Sequence, residues 1–104
     1  MPEKELEARV LTIQDRHHAL EQRVARAATD MLDAIGAAKK GGASEEDLKA
    51  AAAQHQKAQR RFDFVAAENS MGFHAPREMA RILGEVIYHA RLGQLEAERA
   101  TRKK

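Results

Sequence analysis

Residues 61–78 read RFDFVAAENSMGFHAPRE, and the punctuation in this stretch sets the organisation of the chain. It runs out of one amphipathic helical pattern, through a tight corner, into the first turn of the next. Gly72 supplies a residue that tolerates the positive φ common just past a helix end. Pro76 suits the first position of a new helix, where its missing N–H costs nothing. Pro76 also biases Ala75 away from helical geometry, so His74 falls in the short non-helical corner. A histidine there can aim a ring nitrogen away from its own helix. A lone histidine in a turn is ordinarily a solvated surface residue.

Outward from this corner the periodicity is helical on both sides. The preceding helix is predicted over 44–70, with Ser44 as N-cap and Glu45, Glu46 and Asp47 filling its first turn. Its seam reads Leu48, Ala52, His55, Gln59, Phe62, Ala66 and Asn69, widened by Phe64 and Val65. The following helix is predicted over 76–100 with Met79, Leu83, Val86, Ala90, Gly93 and Ala97 on its seam, widened by Ile82 and Ile87. Past Gly93 the apolar face weakens, which predicts fraying. The first helix is predicted over 3–40. Its apolar positions Leu6, Val10, Ile13, His17, Leu20, Val24, Ala27 and Met31 alternate steps of four and three, a heptad seam. Acids open that helix, Lys39 and Lys40 close it, and Gly41-Gly42 stops it. Two short connections imply antiparallel neighbours. The fold class is therefore all-α, an up-down-up antiparallel three-helix bundle with a long coiled-coil-like first helix, a single domain over 1–104.

Composition agrees with this class and excludes several functions. Aromatics make up 4% of the 104 residues and charged residues 33%, a helical-bundle profile and not that of a sandwich or α/β enzyme. A net charge of +2, from interspersed basic and acidic residues, gives no pull towards nucleic acid. The basic tail from Arg99 to Lys104 complements a helix dipole. No apolar run reaches the length of a membrane span, and no apolar segment of signal-peptide type follows Met1-Pro2-Glu3-Lys4-Glu5. Cysteine is absent, which removes disulfides, thiolate nucleophiles, thiolate metal sites and the C-x-x-C-H motif that attaches c-type haem. There is no G-x-S-x-G and no phosphate-binding glycine loop.

The wording of the corner is more specific than its geometry. Asp63-Phe64, Asn69-Ser70-Met71-Gly72-Phe73-His74-Ala75-Pro76 and Arg81-Ile82-Leu83-Gly84 resemble the C-terminal part of ammonia-forming cytochrome c nitrite reductases. The resemblance runs from about Val10 to about Gln94, through Ile13-Gln14-Asp15-Arg16 and Gly41-Gly42-Ala43-Ser44. It implies that His74 stands at the position of an axial ligand to a c-type haem. It also implies dimerisation through long helices, a haem-bearing domain as partner and a periplasmic location. One departure stands out. The family has Trp where this chain has Arg60 or Arg61, and the chain has no Trp.

Glu68 and Asp63 lie near His74 in sequence and are candidates to orient its ring. His17 reads as a polar core residue partnered by Asn69, and His55 and His89 fall at mid-bundle on facing helices. No repeated E-x-x-H pattern supports a native metal site. With three Phe, one Tyr and many Ala, the expected core is narrow and holds no cofactor-sized cavity. Helix one is predicted to overhang the other two at its N-terminus, leaving Leu6, Val10 and Ile13 in want of a partner. The expected function is a haem-free dimerisation and support module, not catalytic by itself. Its expected homodimer interface comprises Leu6, Val10, Ile13, His17 and Leu20. No cofactor is expected in the chain alone, with haem admitted through His74. The alternatives are a small non-covalent haem-binding or electron-transfer bundle, and a protein-binding adaptor.

Overall fold

A computed structural model describes the backbone of residues 3–70 and 76–102, and the side chains of 19–68 and 76–102. All the described secondary structure is helical: α1 (Glu3–Lys40), α2 (Lys49–Ser70) and α3 (Pro76–Arg102). The molecule measures 62 × 21 × 16 Å. Its long axis is set by α1, whose 38 residues span roughly 57 Å at the usual rise per residue.

The α1–α2 connection is built from local chemistry. Gly42 adopts φ 96° and donates its N–H to Lys39 O at 3.0 Å, while Ala43 N–H reaches Ala38 O at 2.9 Å. These two bonds form a Schellman closure, which satisfies carbonyls at the helix end and requires a residue without a Cβ at its left-handed position. Ser44 and Asp47 then cap each other. Ser44 N–H donates to Asp47 Oδ2 at 2.9 Å, and Asp47 N–H donates to Ser44 Oγ at 3.1 Å. The first turn tightens as Lys49 N–H bonds Glu46 O at 3.3 Å. Regular helix therefore begins at Lys49, later than the expected 44, because the capping turn at 44–48 is not α-helical throughout.

Three layers of buried side chains hold the helices together. At one end Val24 of α1, Ala58 and Val65 of α2, and Met79, Ile82, Leu83 and Val86 of α3 form one cluster. In the middle Ala27 and Met31 pack on Ala90. At the other end Ala38 meets Leu48, Ala51, Ala97 and Ala100. All three layers include α3. It packs closely along both α1 and α2, which scarcely approach each other. Gly93 allows the close approach of α3 to α1 in the middle layer, since a Cβ there would lie 2.5 Å from Met31 Sδ. Met31 itself is 2% exposed, and its side chain would have to move to admit that Cβ.

The α1 seam from Leu20 onward and the α3 seam are buried as read from the sequence, but two expectations change. The α3 face does not weaken past Gly93. Ala97 and Ala100 are buried and the helix continues to Arg102, because small residues are what the narrow alanine layer admits. On α2 the buried line is Leu48, Ala51, Ala58 and Val65. The expected seam positions Ala52, Gln59, Phe62 and Ala66 are exposed, and so is Phe64. α2 is rolled so that its smaller apolar line meets α3, which leaves Phe62 43% and Phe64 52% exposed.

Candidate functional site

Because α1 and α2 both lean on α3 without closing on each other, an apolar groove of about 510 Å³ runs between them. Met79, Leu83 and Val86 of α3 form its floor. Val24, Ala25, Ala28, Met31 and Leu32 line the α1 wall, with Glu21 at its end. The α2 wall is His55, Ala58, Gln59, Phe62, Val65 and Ala66. Leu32 is 50% exposed on the rim. The sequence reading expected a closed core here. His55, Phe62 and Ala66 of α2, read from the sequence as core seam positions, line this groove.

The opposite flank of α2 is polar. Arg61 is half-buried and pairs with Glu85 of α3 at 3.5 Å. It also donates from Nη1 to Lys57 O at 3.1 Å. Arg81 holds the other oxygen of Glu85 at 2.9 Å. Between these groups His89 sets Nδ1 2.7 Å from Gln54 Oε1, donating across the α2–α3 interface, with the Tyr88 ring edge-on to it at 5.2 Å. Burial pushes the His89 pKa down, and the cations of Arg61 and Lys57 push it further in the same direction. On the other side of the bundle Arg91 ties α3 to Asp30 of α1 at 2.7 Å. The Arg61–Glu85 pair is charged and only partly buried. Being partly exposed, such a pair adds little stability.

The expected site residues distribute unevenly. His74 lies outside the described residues, as do the side chains of Leu6, Val10, Ile13, His17 and Asn69. Leu20 is half-buried and packs on the Val24–Met79 cluster of its own chain. His55 and His89 are not brought together: His55 lines the groove, while His89 turns to Gln54. Asp63 is exposed and accepts a hydrogen bond from Gln59 Nε2 at 2.9 Å. Among the described residues no cluster of three or more His, Cys, Asp or Glu side chains could hold a metal ion. No described helix is long and apolar enough to cross a membrane.

The chain has no thiol with which to attach a haem covalently, so the only part of a c-type haem site it could supply is an axial ligand. Comparison with curated proteins and with solved structures finds no significant match. The family profile described as cytochrome c552 matches residues 1–104. The matched span is the whole of the sequence, including the helical pattern, the glycine stop and the Asn69–Pro76 corner, and so the chain belongs to the cytochrome c552 family of nitrite reductases.

Proposed function

We propose that this chain is a haem-free dimerisation and support module of its family, not catalytic by itself. The observation that carries the reading is a family match over residues 1–104 in a chain without a single cysteine. The family's helical scaffold is present without any thioether attachment for its cofactor. In this reading the helices form one up-down-up domain with a coiled-coil-like first helix, and α1 supplies the homodimer contact through Leu6, Val10, Ile13, His17 and Leu20. His74 takes the axial-ligand position for a haem held by another polypeptide or domain. The location is the family's periplasm.

Sedimentation equilibrium tests the dimer, with Leu6→Glu/Val10→Glu as the disrupting variant. A dimer that the double variant converts to a folded monomer supports the proposal; a monomeric wild type refutes it. The second reading is a non-covalent haem protein, and the observation favouring it is the apolar groove with His55 on its wall. Haem titration followed at the Soret band separates the two. The support module gives no stoichiometric binding, whereas tight binding lost in His74→Ala or His55→Ala makes the chain a haem protein.

A further inference from the structure

We infer that the groove between α1 and α2 is a binding site for a slender cationic amphiphile, an alkylammonium whose chain lies along the groove and whose head sits at Glu21. The site rests on neither reading above: it needs no dimer, no haem and no part of the His74 corner. Shape selects the body of the ligand and charge selects its head.

The walls run from Glu21 to Leu32 on α1 and from His55 to Ala66 on α2. Each stretch covers roughly 17 Å of helix. A volume of about 510 Å³ spread over that length leaves a section of roughly 30 Å². Such a section suits an extended hydrocarbon better than a broad ring system, and a chain of about a dozen carbons spans the length. The surface it would cover is apolar. Leu83 and Val86 lie beneath it, and Phe62 and Leu32 stand 43% and 50% exposed on the walls. Covering these side chains removes apolar area from water, which is the driving force for the tail.

The polar groups are few and of one sign. Among the described residues lining the groove, Glu21 is the one carboxylate, and none is lysine or arginine. No described cation pairs with Glu21. On the α2 wall Gln59 donates to Asp63 at 2.9 Å, which brings a second carboxylate to the rim. The cations of α2 nearest this level, Lys57 and Arg61, act on the opposite flank, at His89 and Glu85. An anionic head therefore finds no partner here, whereas an ammonium at the Glu21 end finds an unanswered carboxylate. The tail then points towards Met31 and Leu32.

Two of the four methionines, Met31 and Met79, line the groove, so NMR of isotope-labelled methionine methyls reads it directly. The probe is dodecyltrimethylammonium, titrated below its micelle-forming concentration, with dodecanoate as the anionic counterpart. The expected result is saturable shifts at Met31 and Met79 with the helical circular dichroism unchanged. The cation should bind about three- to fivefold more tightly than the anion, the size of an exposed ion pair. Glu21→Gln should erase that preference and leave the apolar binding. Ala25→Leu/Ala66→Leu adds bulk to both walls at exposed positions, so the fold is kept and both probes weaken. Equal affinity of the two probes for the wild type, shifts that never saturate, or shifts that spare both methionines would overturn the assignment. So would a loss of helical signal on titration, which is denaturation by detergent, or full affinity in the doubly filled variant.

Discussion

The two ends of this bundle are made from the same three helices and behave differently. At the connection end the layer is Ala38, Ala51, Ala97 and Ala100 around Leu48, with α1 and α2 both packed on the alanines of α3. At the other end the layer is Val24, Val65, Met79, Ile82, Leu83 and Val86, and α1 and α2 are splayed over a groove. Side-chain size decides between these outcomes. Alanine lets backbones approach until nothing further fits. Larger side chains hold them apart, and three helices cannot then cover what they expose. The first end is filled by its own chain; the second keeps an open apolar groove.

Substitutions can break this contrast or sharpen it. The largest effect is expected at Leu83, which is 2% exposed and serves both as core and as groove floor. Leu83→Ala should cost about 3 kcal/mol, lowering the calorimetric Tm by on the order of 15 °C. A loss below about 1 kcal/mol would mean that the open end is not a packed core at all.

Next comes the same replacement at each end. Ala97→Leu enters a layer where Ala97 is 0% exposed, and overpacking of this kind costs about 1–3 kcal/mol. Ala66→Leu projects from an exposed position on the groove wall, and surface changes stay within roughly 0.5 kcal/mol. Urea unfolding of the two variants at matched concentration measures the difference between closed and open ends directly. Equal losses would abolish the distinction.

Two glycines of α3 sharpen it further. Gly84 is exposed and a Cβ there meets nothing within 4 Å. Gly84→Ala should therefore raise stability by about 0.5–1 kcal/mol through helix propensity and a less free unfolded chain. Gly93→Ala forfeits that gain against Met31, so thermal scans should separate the two alanines in sign.

The smallest effect is at the polar flank. The His89 pKa is held below its ordinary value of 6.5, so the folded chain binds this proton less readily than the unfolded one. Stability from this site is complete above the ordinary histidine range and declines as pH falls through the lowered folded value. His89→Gln should flatten that decline in denaturant melts between neutral and mildly acid pH. A wild-type profile no steeper than the variant's would show that Arg61, Lys57 and Glu85 leave the ring unperturbed.

Legibility from sequence followed the same division. The α1 and α3 seams could be read because Val24, Met31, Met79, Leu83 and Val86 contrast sharply with charged neighbours. The α2 seam was misplaced because alanine is ambiguous: Ala51, Ala52 and Ala53 look alike, and only contact with α3 selects Ala51. The groove was not legible at all, since it arises from how far apart two helices stand and not from any residue pattern. Gln54 as the partner of His89 was equally hidden, being a long-range pairing between helices. The His74 corner carries the family resemblance in its wording, and its geometry lies outside the described residues.

The central place of α3 bears on the order in which the protein can be made. α1 and α2 leave the ribosome first and join through a well-capped turn, but they share almost no interface. Neither has a core until residues some sixty positions later than Val24 are translated. Such distant contacts must meet the loop entropy before they are rewarded. The first two helices therefore emerge as a nascent hairpin with its apolar faces uncovered. Compaction waits for the third helix, and factors that shield exposed helices during synthesis would have their work in that interval.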